Sequence, residues 1–254
     1  METKERVLKK KLNVWHCVFV ILMCSLLTAG ISCVSSMSRQ MDKSATGDNR
    51  IDPKPSKGLI INNYKTSAIA ENVKRIADIL DGFGLKYSII HYKDFRLDES
   101  GSFDFFILSG GGISIETNTA LQQEKELARR APKPIFGICA GFEIIANAYG
   151  KVTVKLPEKV RGVKKIKVFN LDKLGIDYSS DELDVYESHG WSIQKPIKGF
   201  TILGTSEYGI EIFKHNSKPI LATQFHPEVQ KDNNGIIILN YFIEKMVLSN
   251  IGRR

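Results

Sequence analysis

Cysteine is scarce in this sequence. Of 254 residues only four are cysteine, and Cys17, Cys24 and Cys33 all fall near the start, leaving Cys139 alone in the rest of the chain. A single thiol excludes a disulfide framework and a cysteine-based zinc site from residues 58–254. Basic stripes, aromatic-interleaved basic patches and nucleic-acid motifs are also missing, so nucleic acid is not expected as a partner. No P-loop-like motif, ATP-binding synthetase domain or internal repeat is present. The formal charge of +8 does not alter this, because it is uneven: residues 1–57 hold ten Lys or Arg against five Asp or Glu. Of the 36 bases and 28 acids, 26 and 23 remain beyond that point, a net of +3. With 43% hydrophobic and 25% charged residues, the chain suits one globular domain plus an appendage.

The appendage comes first. Lys4, Arg6, Lys9, Lys10 and Lys11 precede a run without Asp, Glu, Lys or Arg at 12–31. A basic flank and an apolar segment of that length read as a signal peptide or membrane anchor, with the basic end in the cytoplasm and the domain outside it. Ala29-Gly-Ile-Ser-Cys33 resembles a bacterial lipoprotein signal, in which Cys33 would carry the lipid, although Gly30 stands where a leucine-like residue is usual. Lipidation, ordinary cleavage and an uncleaved anchor remain open. The expected organisation is thus a signal or anchor at 1–33, a flexible Ser-, Asp-, Asn-, Lys- and Pro-rich linker at 34–57, and a domain at 58–254.

Within the domain, strand-like and helix-like segments alternate. Strands are expected at 59–62, 87–91, 104–108 and 135–138, and helices at 68–80, 116–130 and 142–149. Short strand-like runs follow at 151–156, 163–169, 201–206, 209–214 and 220–225, with a last helix at 234–248. Strands separated by helices imply right-handed crossovers, hence an α/β fold with an open, mostly parallel sheet and helices on both faces. Ligands gather at the carboxyl ends of such strands, where Ser109-Gly-Gly-Gly112 and Cys139 both fall.

Pro134-Ile-Phe-Gly-Ile-Cys-Ala-Gly-Phe-Glu143 is the stretch with the clearest chemistry. An apolar strand ends at a cysteine flanked by Gly137 and Gly141, and a helix begins. The glycines make room for a tight turn that exposes the sulfur at its tip, and the helix N-terminus favours the thiolate. A buried structural cysteine is the alternative, but it would need neither glycine. A cysteine nucleophile requires a base, an orienter for the base and donors for the oxyanion. Gln224-Phe-His-Pro-Glu228 offers His226 and Glu228; Gly110 to Gly112 and the Ala140 N–H offer donors. Taken singly, each of these could be an ordinary turn or a surface residue.

Together the residues resemble the class I glutamine amidotransferase family. Leu108-Ser-Gly-Gly-Gly112, Gly137-Ile-Cys-Ala-Gly141 and Gln224-Phe-His-Pro-Glu-Val229 stand in the family's order, across residues 58–246. The resemblance implies a flavodoxin-like fold and a Cys-His-Glu hydrolase of γ-glutamyl amide bonds. Cys139 would form the thioester, His226 shuttle protons, Glu228 orient His226, and the N–H groups of Gly111 and Ala140 make the oxyanion hole. Glu187-Ser-His-Gly190 is similar to the segment that holds the amino-acid end of glutamine in GMP synthase glutaminases, which gives Ser188, His189 and Gly190 a substrate role, or His189 that of a competing base. Gly112 departs from the proline common in the family. Glu143 stands where glutamine-using members carry Gln, and Gly-Phe-Glu is reminiscent of exported γ-glutamyl hydrolases; its charge would face the substrate.

Three functions follow: a glutaminase supplying ammonia to a separate synthetase subunit, an envelope hydrolase of γ-glutamyl peptides, and a non-catalytic binding domain. Retention of Cys139, His226 and Glu228 together favours the first two. The motifs favour the glutaminase and the export signal favours the peptide hydrolase. The expected partners are a small γ-glutamyl substrate and the membrane through residues 1–33. Neither cofactor nor metal is expected.

Overall fold

The computed structural model describes residues 57–131, 133–229 and 232–251. The signal or anchor segment at 1–33, with Cys33, lies outside the described residues, as does all but the last residue of the 34–57 linker. Among the described residues no helix is long and apolar enough to cross a membrane.

The first half alternates as the sequence predicts. β1 (Lys57–Asn62), α1 (Glu71–Gly82), β2 (Lys86–His91), β3 (Phe105–Leu108), α2 (Gln122–Arg130), β4 (Ile135–Ile138) and α3 (Ala140–Ala148) follow in order. α2 starts later than the expected 116, because the Asn118 side chain accepts the Ala120 N–H at 3.1 Å and caps a short 3-10 turn, Thr119–Leu121. The second half comprises β5 (Val154–Val168), β6 (Glu182–Ser192), β7 (Phe200–Ser206), β8 (Gly209–His215), β9 (Ile220–Thr223) and α4 (Ile236–Tyr241), which runs on as a π-helical turn, Phe242–Leu248.

All nine strands join one sheet in the order β2-β1-β3-β4-β9-β8-β7-β5-β6. Its first five strands are parallel. From β9 onward every pairing is antiparallel. The sheet is therefore mixed, which corrects the expectation of a mostly parallel one. The cause lies in the links: β7 to β8 and β8 to β9 are too short for a crossover helix, so the strands must turn back on themselves. The expected runs 151–156 and 163–169 are one strand, with a register shift between Lys155 and Val160 where Pro157 cannot donate to the ladder.

Strand alternation sorts the core onto two faces. Ile60, Phe105, Ile107 and Phe136 pack with Val73, Ile76 and Leu80 of α1 and with Ile238 and Phe242. Leu59, Ile61, Phe106 and Leu108 pack with Leu127 of α2 and with Phe142 and Ile145 of α3. Helices cover both faces, as expected. Phe142 stacks on Phe213 of β8 with ring centroids 4.4 Å apart, which ties α3 to the sheet directly behind Cys139.

Candidate active site

Cys139 sits in the turn between β4 and α3 with φ 48° and ψ −101°, a conformation L residues rarely adopt. Such strain costs on the order of 1–3 kcal/mol and persists only where the surroundings enforce it. Here the Cys139 N–H donates to the Thr223 carbonyl at 2.9 Å, and the Gly141 N–H donates to the Ser109 carbonyl at 3.2 Å. A Cβ on Gly141 would lie 2.2 Å from the Leu108 carbonyl oxygen, so only glycine lets α3 start this close to β3. The sulfur is not at an exposed tip: Cys139 is 6% exposed, on a cavity of about 510 Å³ shared with Tyr64, Asn72, Gly111, Ser188 and His226. Burial pushes its thiol up rather than down, against the pull of the His226 charge and a hydrogen bond to that imidazole.

His226 and Glu228 lie where that thiol can use them. The imidazole Nδ1 is 2.7 Å from Glu228 Oε1. With that carboxylate accepting, Nδ1 carries the proton and Nε2 is left for the sulfur. Burial works against a charged imidazole, but the Glu228 carboxylate and the Cys139 sulfur outweigh it and hold His226 well above its ordinary range. The backbone is pinned as well. The His226 N–H donates to the Tyr186 carbonyl at 2.9 Å, and Asn233 Nδ2 donates to the His226 carbonyl at 2.7 Å.

The glycine turn is held by residues whose importance the sequence did not reveal. Asn63, at the end of β1, donates its N–H to Ser109 Oγ at 3.0 Å and its Nδ2 to the Ser109 carbonyl at 3.2 Å. That Nδ2 also lies 3.1 Å from Glu124 Oε2 of α2. The fit is tight: a Cβ on Gly111 would fall 1.8 Å from the Asn63 carbonyl oxygen. Among the described residues, neither the Gly111 nor the Ala140 N–H donates to a backbone carbonyl in the turns and loops. Ala140 opens α3, where an N–H has no partner within the helix. Gly111→Ala is expected to displace the turn and, with Gly111 in the oxyanion role that the resemblance implies, to lower kcat by about 10²-fold or more. Steady-state kinetics on glutamine checks this.

Glu124 is fully buried, and burial raises its carboxyl to about 8, with the Asn63 hydrogen bond and Lys125 opposing. A folded-state value above the unfolded one means that its contribution is complete below about pH 4.5 and is lost as pH rises towards 8. Glu124→Gln keeps the neutral shape. It is expected to raise stability by roughly 1–3 kcal/mol at pH 7.5 and to flatten its dependence between pH 5 and 8, as urea melts across that range would show.

The other expected site residues divide. Ser188 lies on the cavity wall. Glu187 and His189 occupy the opposite, buried face of β6, as strand alternation requires, and Gly190 shares the half-buried face with Ser188. Glu143 does not line the cavity. It accepts from Gln224 Nε2 at 3.2 Å, and burial raises its carboxyl to about 7, with Gln224 and His189 opposing. Lys65 and Lys159 do line the cavity, as do Tyr64 and Asn72, and no motif had marked these four. A groove of similar size, about 540 Å³, runs along β5 and β7 past Lys164 and Tyr208, but neither cysteine nor histidine lines it.

Comparison with known proteins bears on the family. The sequence pattern of the family described as Glutamine amidotransferase class-I matches residues 59–246. One subunit of the glutamine-hydrolysing GMP synthase of Saccharolobus solfataricus is 31% identical over 149 residues, which take in 58% of this chain and 79% of the relative. The longer GMP synthase of Wolbachia pipientis is 29% identical over 178 residues, 66% of this chain but only 34% of that protein. Among solved structures, a candidate GMP synthase subunit from Thermoplasma acidophilum superposes with a TM-score of 0.68 at 27% identity, over 79% of this chain and 99% of its own. With the match running from β1 into the π-helical turn after α4, the chain belongs to the class I glutamine amidotransferase family.

Proposed function

We propose that this protein is a glutaminase of the amidotransferase type, which hydrolyses the side-chain amide of glutamine through Cys139, His226 and Glu228. The observation that carries the reading is the alignment of a strained cysteine, an imidazole and a carboxylate 2.7 Å behind it on a cavity large enough for an amino acid. The reactive form is the thiolate beside the imidazolium. The sulfur bonds to the amide carbon while the Gly111 and Ala140 N–H groups take up the oxyanion. As the C–N bond breaks, His226 protonates the leaving nitrogen and ammonia departs, leaving a thioester. His226 then removes a proton from water, hydroxide adds to the thioester carbon, and expulsion of the Cys139 thiolate releases glutamate. Ser188 and the cationic Lys65 and Lys159 hold the amino-acid end. Glu143 supports Gln224 from behind.

The Saccharolobus relative is named as one subunit of a glutamine-hydrolysing synthase. On this reading the present chain likewise hands ammonia to a separate synthetase subunit. The test is ammonia release from glutamine by the full chain, with Cys139→Ala as the blank and an electrophilic glutamine analogue as a label for Cys139. Absence of both ammonia release and Cys139 labelling would overturn the reading.

A second reading, an exported γ-glutamyl peptide hydrolase, is favoured by the apolar run at 12–31, while Glu143, turned away from the cavity onto Gln224, lends it no contact with substrate. It places the domain outside the cytoplasm, where no synthetase could receive the ammonia. Cleavage of a γ-glutamyl peptide but not of glutamine, with the chain recovered in the membrane fraction, would select it.

A further inference from the structure

Behind the cavity wall, β6 and β8 bring three ionisable side chains together. Glu187 is 0% exposed, His189 4% and Glu211 1%, and their ligand atoms lie within 4.8 Å of one another. None of the three lines the Cys139 cavity. Their hydrogen bonding is incomplete. His189 Nδ1 is 2.7 Å from the Trp191 carbonyl, so it carries a proton and donates, leaving the Nε2 lone pair aimed at the cluster. That Nε2 is 3.1 Å from Glu187 Oε2, but neither atom has a hydrogen-bond partner. Glu187 Oε1 and Glu211 Oε2 are likewise buried without one. Of the four carboxylate oxygens, Glu211 Oε1 accepts from Ser206 Oγ at 2.6 Å.

Four buried polar atoms from three residues thus face one another, with only the close approach of Glu187 to His189 and the contact between the two carboxyls to hold them. Each carries a desolvation cost that these contacts offset only in part. A proton shared between the two carboxyls would satisfy one contact and leave the rest. A cation satisfies all three residues at once. We propose that Glu187, His189 and Glu211 form a buried site for a divalent transition-metal ion of the zinc class. One nitrogen and two carboxylate donors suit such an ion better than calcium or magnesium, which take oxygen alone. Bonds of about 2.0–2.2 Å put tetrahedral ligands roughly 3.4 Å apart, so rotation of the carboxylates closes the set. The Trp191 carbonyl holds the imidazole from behind, as the outer partner of a metal-bound histidine does.

The consequence is positional. β6 is the last strand of the sheet and pairs there only with β5. An ion bridging it to β8 would fix Ser188 at the cavity and Tyr186, whose carbonyl holds the His226 N–H.

Metal analysis of the full chain, purified without chelator and with any affinity tag removed, tests the site. Cys139→Ala is used throughout, so that the active-site thiol cannot bind the metal. About one equivalent of zinc or a similar ion is expected. Stripping it with EDTA should lower Tm by several degrees, and adding back zinc, but not magnesium, should restore it. Glu211→Gln and Glu187→Gln, each made on that background, should bind at least tenfold less metal and lose the zinc-dependent Tm shift. Absence of metal with no zinc-dependent shift overturns the site. So does equal uptake by the parent and both variants.

Discussion

Cys139→Ala is expected to lower glutamine hydrolysis by about 10⁵-fold or more while leaving the fold intact. Removing the nucleophile from a site whose groups act as a unit costs nearly the whole covalent route, and only binding and oxyanion stabilisation remain. Stability should change little. Alanine occupies the same strained φ of 48°, and the backbone bonds to Thr223 and between Ser109 and Gly141 do not involve the sulfur. The comparison is ammonia release and thermal melting of the two proteins side by side. A variant that retained a tenth of the activity would exclude Cys139 as the nucleophile, and one that failed to melt cooperatively would show the thiol to be structural.

Glu228→Gln is the second large effect, about 10³- to 10⁴-fold in kcat. The loss comes through the imidazole. A carboxylate 2.7 Å from Nδ1 accepts only, which fixes the proton on Nδ1 and leaves Nε2 to serve the sulfur. An amide can donate instead, which puts the proton on Nε2 and leaves no base facing Cys139. The substitution also removes the negative charge that holds His226 well above its ordinary range. The pH limb of kcat/KM belonging to the imidazolium should therefore move to lower pH. That shift separates an orienting role from mere packing: a structural loss would lower the profile without moving it.

The legible part of the site was the part written in short, contiguous motifs. Gly137, Cys139 and Gly141 announce a strand, a turn and a helix because only glycine fits beside so close a backbone, and Gly141 against the Leu108 carbonyl confirms that reason in space. The interval of one residue between His226 and Glu228 marked the pair, but the backbone that joins their side chains is a turn at Pro227 and Glu228, closed by the Val229 N–H on the His226 carbonyl at 3.2 Å, and not an extended segment. Residues that serve the site from distant segments left no such trace. Tyr64 and Asn72 line the cavity, and Asn63 and Glu124 brace the glycine turn, but nothing in their local sequence separates them from loop and helix residues of the same kind. β6 escaped notice because Glu187 and His189 fall on its inward face. The alternation that marks a strand breaks where polar residues face the core.

What the sequence alone determined was the order of strands and helices in the first half, the motifs that carry Cys139, His226 and Glu228, and the family, because periodicity and close-packed glycines are local properties of the chain. The tertiary structure decided the rest. It set the parallel and antiparallel halves of the sheet, since pairing depends on which distant strands lie adjacent. It reversed the direction in which the Cys139 thiol shifts, because desolvation depends on everything packed around the sulfur and outweighs the helix terminus beside it. It withdrew Glu143 from the cavity lining to pair with Gln224. And it joined Glu187 and His189 to Glu211, more than twenty residues away, in a cluster that no linear spacing discloses.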